Sequence, residues 1–181
     1  MGAVGKLNEQ LRDLYESEVN YVACSLRRLG ARASELDDLT QEVFVRMLQH
    51  IERFDPSRPI RPWLFGIAFR VISETRRGQW RIRAVEEHEF DDPPDPAATP
   101  EQAAEGAQAR AFVLRALEEL SPERRAVFVM YELNGHAMSE VAETLGTPLF
   151  TAYSRLRVAR AQFAVAVRRL RDEDAMGGRR S

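Results

Sequence analysis

Hydrophobic residues recur at three- and four-residue spacing along most of the chain, the pattern of helices with one buried face. The first such segment covers residues 7–29 and precedes Gly30, a residue type that commonly ends a helix. A second helix is predicted to begin with Asp38 as its N-cap, paired with Gln41 three residues later. The predicted buried stripe of this second helix is Leu39, Val43, Phe44, Met47, Leu48 and Ile51.

A third helix is expected after a proline-containing loop at residues 54–59, because Pro62 fits the first turn of a helix. It should run to about Arg77. Its apolar stripe is Trp63, Leu64, Ile67 and Val71.

The second half of the chain repeats the helical pattern from about residue 110. Ser121 and Pro122 predict a helix start, with serine as the N-cap and proline at the first helical position. Its expected buried stripe is Val127, Met130 and Leu133. A short helix over residues 138–145, a turn at Gly146 and a long helix from about residue 147 to 170 follow. No segment alternates in the manner of a strand, so the predicted fold is all-α.

The charge pattern divides the chain in two. Residues 84–109 contain eight acidic residues and no lysine or arginine, and residues 91–100 contain four prolines. Such a segment favours an extended, flexible linker. The net charge of -2 therefore conceals net-basic flanks. We predict two small helical domains joined by a flexible acidic, proline-rich linker.

Arginine and aromatic residues are interleaved in the first flank, where residues 53–83 contain eight arginines and two acids. Arginines neutralise phosphates and aromatic rings stack on unpaired bases, so this composition suits single-stranded nucleic acid. Trp63 belongs to the helical stripe and is assigned mainly to the core. The nucleic-acid hypothesis therefore rests on the end of the third helix, and solvated arginines are the alternative. Its residues are Arg76, Arg77, Gln79, Trp80, Arg81 and Arg83.

The short helix, glycine turn and long helix near the C-terminus form a helix-turn-helix pattern, which places its second helix in the DNA major groove. Residues 155–171 contain six arginines and no acid, which favours this interpretation over an ordinary helical hairpin. Phe150 and Tyr153, at the start of the second helix, are expected to contact thymine methyl groups or a partner protein, or simply to pack. The polar candidates on this helix are Ser154, Arg155, Arg157 and Arg160.

Other classes of function find little support in the sequence. Cys24 is a single cysteine, the three histidines have no ligand spacing, and no glycine-rich phosphate loop or nucleophile–base pair is present. We therefore expect no enzyme activity, metal or cofactor. No signal peptide or membrane-spanning apolar run is recognised, which predicts a cytoplasmic protein.

Several motifs resemble the extracytoplasmic-function sigma factors of bacterial RNA polymerase. The segments are Asp-Asp-Leu-Thr-Gln-Glu-Val-Phe-Val-Arg (residues 37–46) and Pro-Trp-Leu-Phe-Gly-Ile-Ala (residues 62–68) in the first domain. In the second domain they are Leu-Ser-Pro-Glu-Arg-Arg (residues 120–125) and Ser-Arg-Leu-Arg-Val-Ala-Arg (residues 154–160). The resemblance covers nearly all of residues 7–171, with the motifs in order.

The resemblance implies a specificity subunit with a region-2-like domain at residues 1–84 and a region-4-like domain at 110–171. The composition predicts an acidic linker at residues 85–109 and, because residues 172–181 contain Gly177 and Gly178 and no apolar stripe, a disordered tail there. It implies that the core polymerase is held by Asp38, Gln41, Glu42, Val45 and Arg46. The single-stranded minus-ten element would be held by Arg70, Arg76, Arg77, Gln79, Trp80, Arg81 and Arg83. The minus-thirty-five duplex would be read by Thr147, Phe150, Thr151, Tyr153, Ser154, Arg155, Arg157 and Arg160. The implied partners are core RNA polymerase, promoter DNA and an anti-sigma protein, often membrane-bound.

Two positions depart from the family pattern. Residues 150–153 read Phe-Thr-Ala-Tyr where the family often has Gly-Thr-Val-Lys, and Ala137 replaces a usual N-cap serine. The first change removes an expected phosphate-contacting lysine, which leaves the upstream DNA sequence open. An autonomous helix-turn-helix regulator is the main alternative function, and a protein-docking adaptor is a second.

Overall fold

Residues 2–79 and 100–177 are described by a computed structural model of the chain. They are helical almost throughout and contain no strand, which confirms the all-α prediction. The chain divides into two compact units, Met1–Arg81 and Ile82–Ser181. Within the described ranges, no helix combines the length and hydropathy needed to cross a bilayer.

The first unit consists of three mutually packed helices, α1 (Gly2–Leu29), α2 (Leu36–Gln49) and α3 (Ile60–Gln79). Short 3₁₀ turns at Ala33–Glu35 and Ile51–Arg53 lie on either side of α2. The apolar stripes of the three helices meet in one core. Its fully buried large side chains are Val22, Leu26, Val43, Met47, Leu64, Phe65 and Val71.

The end of α1 has the predicted glycine geometry. Gly30 has φ 101°, a left-handed conformation that costs glycine little because it has no Cβ. The Ala31 N–H donates to the carbonyl of Leu26 at 2.9 Å, which closes the helix and reverses the chain toward α2.

Two expectations for α2 are wrong. The helix begins at Leu36 with Glu35 at its N-cap, so Asp38 lies inside the first turn and is not the N-cap. Leu48 and Ile51 are 46% and 37% exposed, although their spacing predicted burial. Leu48 lies about 100° around the helix from the buried Met47, and Ile51 lies beyond the end of α2, where helical periodicity no longer applies.

The second unit contains α4 (Pro100–Glu118), α5 (Pro122–Phe128), α6 (Met138–Thr144) and α7 (Leu149–Gly177). Ser121 and Pro122 occupy the N-cap and first helical position of α5 as predicted. A π-helical turn, Val129–Leu133, continues α5 and shifts its register. Because of that shift Leu133 is 37% exposed, so its predicted burial is wrong.

Both ends of the second unit are longer than predicted. Helix α4 begins at Pro100, so residues 100–109 are helical and the linker assignment is wrong for them; residues 85–99 lie outside the described ranges. Helix α7 continues to Gly177, so the prediction of a disordered tail is wrong for residues 172–177, and residues 178–181 are not described. The reason is that α4 gives α7 a packing partner. Ala116, Ala166 and Leu170 are buried together, with Phe112, Phe163 and Val167 packed around them.

Candidate nucleic-acid and protein interfaces

Helix α2 presents one side to solvent, and we call Asp38, Gln41, Val45 and Leu48 the α2 face. Their three- and four-residue spacing places them on one side of the helix, opposite the buried Val43 and Met47. Val45 is 47% exposed and Leu48 is 46% exposed. Two aliphatic side chains thus lie in water next to each other on a helix that carries acids, which favours a protein partner.

Arg46 does not belong to this open face, because its guanidinium is held within the first unit. Its Nε lies 2.7 Å from Oε1 of Glu42 on the same helix, and its Nη1 lies 2.7 Å from Oε2 of Glu74 on α3. The hydrogen bonds to Glu42 and then Glu74 raise the pKa of Arg46 above its ordinary value. These contacts fasten α2 to α3, and they also engage Glu42, another predicted polymerase contact.

The start of α3 is fixed in a comparable way. Arg61 donates from Nε to Oε2 of Glu18 at 2.9 Å, and its guanidinium lies 5.1 Å from the ring centroid of Tyr21 on α1. Trp63 stacks on Phe54 with ring centroids 5.0 Å apart. These contacts set the position from which α3 carries its arginines toward its C-terminal end.

The basic residues at the end of α3 have different surroundings. Arg70 and Arg77 are exposed, and the Nε of Arg77 donates to the carbonyl of Ser73 at 3.4 Å. Arg76 is half-buried, and its Nη2 donates to the carbonyl of Gly30 at the end of α1. The structure therefore places Arg76 at a joint between helices and leaves Arg70 and Arg77 open to a ligand.

The remaining predicted minus-ten residues have no structural account. Gln79 is the last residue of α3 and is described only by its backbone. Trp80, Arg81 and Arg83 lie outside the described residues.

The helix-turn-helix consists of α6, a turn at residues 145–148 and the first turns of α7. Gly146 has φ 58°, and the Thr147 N–H donates to the carbonyl of Ala142 at 2.9 Å, which closes α6. At the other end of α6, Ala137 is the N-cap, and its N–H donates to Oε2 of Glu140 at 3.2 Å. Glu140 thus satisfies one donor at this helix start, where the sequence offers no capping serine.

One side of α7 is locked into the second unit. Ala152, Leu156 and Ala159 are buried at 0%, 3% and 0% exposure, and Phe163 packs on Phe128 with ring centroids 4.7 Å apart. The burial fixes which side of α7 faces outward.

The opposite side of α7 is open, and we call Phe150, Tyr153 and Arg157 the α7 face. Phe150 is 85% exposed, Tyr153 is 53% exposed and Arg157 is exposed. Their spacing of three and four residues puts them in one row. Leu149, which the sequence reasoning missed, is 47% exposed beside this row.

The other predicted residues of α7 and its preceding turn differ in exposure. Thr147, Thr151, Ser154 and Arg155 are half-buried along the flanks of the helix start. Arg160 is exposed but engaged, because its Nε lies 2.6 Å from Oε1 of Glu132 and its guanidinium lies 5.6 Å from the ring centroid of Tyr131. The π-helical turn supplies both of these partners, so Arg160 ties α7 to that turn.

The sequence reasoning missed Leu48 on α2 as well as Leu149 on α7. The sequence did contain a sign that Leu48 is exposed, because Leu48 follows Val45 by three residues and so lies on the polar side of α2. Apolar residues at the edge of a stripe are ambiguous, since spacing gives the face of a helix and not the extent to which neighbours cover it. In the described ranges, no group of three histidine, cysteine or acidic side chains is arranged to hold a metal ion.

Comparisons with known proteins connect the two helical units to a family. Residues 14–82 match the family described as Sigma-70 region 2, and residues 112–163 match the family described as Sigma-70, region 4. The chain is 32% identical over 163 residues to the ECF RNA polymerase sigma factor SigL of Mycobacterium tuberculosis, covering 87% of this chain and 89% of SigL. It is 32% identical over 137 residues to the ECF RNA polymerase sigma factor SigE of Mycolicibacterium smegmatis, covering 75% of this chain and 52% of SigE. The chain thus spans about half the length of that second relative.

A solved structure supports the fold. CnrH, in complex with the cytosolic domain of CnrY, matches with a TM-score of 0.63 and 26% identity. The match covers 92% of this chain and 90% of that chain. The folds and both family matches define a sigma-70-type transcription factor. More specifically, the chain belongs to the ECF family of RNA polymerase sigma factors. It is an alternative sigma factor for promoter recognition, within a family of transcription regulators rather than enzymes.

Proposed function

We propose that the chain docks on core RNA polymerase through the α2 face and reads promoter DNA through the ends of α3 and α7. The observation that carries this division is the opposite net charge of the two helices. Helix α2 contains Asp37, Asp38 and Glu42 against the single base Arg46. By contrast, residues 149–171 of α7 contain six arginines and no acid. An acidic helix repels phosphates and suits a protein, whereas a basic helix attracts them.

On α2, the proposed contacts to core polymerase are Asp38, Gln41, Val45 and Leu48. Val45 and Leu48 supply apolar area that a partner can bury, and the polar residues at the edge fix the register. Glu42 and Arg46 contribute mainly by holding α2 against α3. Their effect on docking is therefore indirect.

On α3, the proposed single-strand surface includes the exposed Arg70 and Arg77 and continues into Gln79, Trp80, Arg81 and Arg83. Exposed guanidinium groups neutralise phosphates, and a tryptophan can stack on an unpaired base. Arg76 is assigned a positioning role, since it donates to the carbonyl of Gly30. This surface would bind the non-template strand of the minus-ten element during opening.

On α7, the proposed contacts to the minus-thirty-five duplex begin at Thr147 and extend to Arg157. The N-terminal part of the second helix of a helix-turn-helix enters the major groove, and flanking arginines reach the phosphates. Thr151, Ser154 and Arg155 lie on its flanks. Arg160 is assigned to holding α7 against the π-helical turn through Glu132.

The proposed domain limits follow from these assignments. A polymerase-docking and minus-ten domain covers residues 1–84, and a minus-thirty-five domain covers residues 110–171. Helix α4 extends the second domain toward Pro100, and α7 extends it to Gly177. The place of action would be the cytoplasm, where core polymerase and promoter DNA are found.

An anti-sigma protein is proposed as a third partner. The related CnrH, 26% identical to this chain, was solved in complex with the cytosolic domain of CnrY. A regulator of this kind would control the chain by covering surfaces that polymerase or DNA needs. The α2 face, with two exposed aliphatic side chains, is one such surface.

A reconstituted transcription reaction tests the proposal. A promoter is first selected from random DNA by core polymerase and this chain together. On that promoter, core polymerase with this chain should start transcription, and core polymerase alone should not. The alternative of an autonomous helix-turn-helix regulator predicts tight binding to duplex DNA by the chain alone and no stimulation of core polymerase. That second result would overturn the assignment of the α2 face.

A further inference from the structure

The first two turns of α7 expose three large, mainly apolar side chains. Phe150 is 85% exposed, Tyr153 is 53% exposed and Leu149 is 47% exposed. A phenylalanine in water on a rigid helix is unfavourable unless a partner buries it, because its apolar area stays hydrated. The opposite side of the same helical turns is buried through Ala152 and Leu156, so the exposed residues cannot turn inward. This patch is built to meet something outside the chain.

The charge of α7 itself favours a polyanion as the partner of this patch. Arg157 follows Phe150 by seven residues in the same row and is exposed. No acidic residue occurs between Leu149 and Arg171. A protein surface that buried the patch would have to accommodate this one-sided charge, whereas the phosphates that flank a DNA groove neutralise it.

The chemistry of the DNA groove then selects the base. In the major groove every base edge carries hydrogen-bond donors or acceptors, and thymine alone adds an apolar group, its C5 methyl. A phenylalanine ring cannot satisfy donors or acceptors, but it can cover a methyl group. A tyrosine three residues later lies about 4.5 Å further along the helix axis, close to the roughly 3.4 Å step between base pairs.

We propose that Phe150 and Tyr153 are specificity-determining residues that read the C5 methyl groups of thymines in the upstream promoter element. This inference rests on the proposed function, since it assumes that α7 enters the major groove. It goes further by assigning a base to the position at which this chain departs from the family pattern. The family pattern has a phosphate-contacting lysine in this segment. In this chain the Phe-Thr-Ala-Tyr segment would instead make apolar contacts to the thymine methyl groups of neighbouring base pairs.

A methyl-deletion experiment tests the proposal with full-length chain bound to core polymerase. The upstream element is first selected from a randomised duplex library. Each thymine in it is then replaced by deoxyuridine, which lacks only the methyl group, and binding affinity is measured for the chain and for Phe150→Ala. For the unmodified chain we expect about a fourfold loss at the thymine beneath Phe150, the factor associated with burial of one such group. For Phe150→Ala the ratio between the thymine and uracil duplexes should fall to about one.

Two further variants serve as controls. Arg157→Ala should weaken binding to both duplexes equally and leave the thymine-to-uracil ratio unchanged, because Arg157 is expected to contact phosphate. Phe150→Leu should keep part of the preference for thymine over uracil, because leucine is also apolar. Phe150 is almost fully exposed, so Phe150→Ala should retain the helical circular-dichroism spectrum and melting temperature of the chain.

Three outcomes would overturn the inference. One is a thymine-to-uracil ratio that is the same with and without Phe150. Another is a selected element that contains no thymine. A third is a Phe150→Ala variant that loses affinity for core polymerase while its thymine-to-uracil ratio persists, which would assign the patch to a protein. Failure to select any promoter would overturn the proposed function together with this inference, whereas a functional promoter that is insensitive to methyl loss overturns the inference alone.

Discussion

Helices α2 and α7 are built alike but differ in charge, and we propose different partners for them. Each buries one side, through Val43 and Met47 in α2 and through Ala152 and Leu156 in α7, and each leaves apolar side chains in water on the other side. They differ in what surrounds the exposed apolar groups. Acids predominate on α2, whereas α7 carries arginines without acids as far as residue 171.

The difference supports the proposal that the exposed apolar area of each helix is a binding surface and that charge selects the type of partner. It also separates arginines by role. Arg46 and Arg160 form ion pairs with Glu74 and Glu132 on neighbouring segments, so they hold the two helices in place. Arg157 instead lies in the exposed row of α7, where it can meet a ligand.

The largest effect is expected when negatively charged side chains are introduced into the α2 face. The double substitution Val45→Glu and Leu48→Glu should lower transcription with core polymerase by roughly 30-fold or more, because central apolar contacts dominate protein interfaces. Run-off transcription at fixed chain concentration measures the effect. Val165→Glu is the matched control. Val165 is also an exposed valine, with 56% of its surface accessible, and it lies on α7 outside the α7 face. Equal losses for the double variant and the control would show that the α2 face has no special role.

The next largest effect is expected on the α7 face. Arg157→Ala should weaken binding to the upstream element by roughly tenfold and reduce the salt slope of binding by about one, because one phosphate contact is lost. Binding titrations at several salt concentrations measure both values. Arg160→Ala should change the slope less, since its guanidinium is already paired with Glu132. A larger slope change for Arg160 than for Arg157 would reverse the assigned roles.

A smaller effect is expected at the turn that presents α7. Gly146 has φ 58°, and apart from Gly146 and its two chain neighbours no residue lies within 4 Å of the position that an alanine Cβ would take there. Gly146→Ala should therefore cost about 1 kcal/mol in the free energy of unfolding through backbone strain alone. Gly106→Ala is the matched control inside α4, where the Cβ would meet only the flexible end of Arg110 and alanine is the better helix former. Chemical denaturation compares the two, and equal effects would contradict the strain argument.

The smallest effect is expected at the contact between α2 and α3. Arg46→Met should lower the free energy of unfolding by at most about 1 kcal/mol, because ion pairs with exposed partners contribute little. If Arg46 acts only by holding α2 against α3, the affinity of the chain for core polymerase should change by less than roughly threefold. A loss as large as that of the Val45 and Leu48 variant would make Arg46 a direct contact.

Much of the fold could be predicted because local signals are strong where the chain turns. Ser121 and Pro122 begin α5 as expected, and glycines with positive φ lie at the predicted helix ends, Gly30 and Gly146. Buried stripes were correct where a neighbouring helix covers the whole stripe. They were wrong at Leu48, at the edge of a stripe, at Ile51, beyond the end of α2, and at Leu133, in a π-helical turn. Spacing alone does not show how far neighbours cover a helix, where the helix ends or where its register shifts.

Long-range contacts explain the other differences. The pairing of Arg46 with Glu74 joins residues 28 positions apart, so no local pattern indicates it. Helix α7 continues beyond residue 170 because α4 lies beside it, where Arg115 lies 3.6 Å from Glu173 and 3.7 Å from Asp174. The candidate residues were therefore found by composition and resemblance, whereas their division into contacts and supports required the structure.

The most direct test of the division between α2 and α7 is the equilibrium dissociation constant for core polymerase, measured without DNA for three forms of the chain. The unmodified chain and the Phe150→Ala/Arg157→Ala variant should bind core polymerase with the same constant within about twofold. The Val45→Glu/Leu48→Glu variant should bind at least roughly 30-fold more weakly. A loss of core binding confined to the α7 variant, with the α2 variant unaffected, would contradict the account.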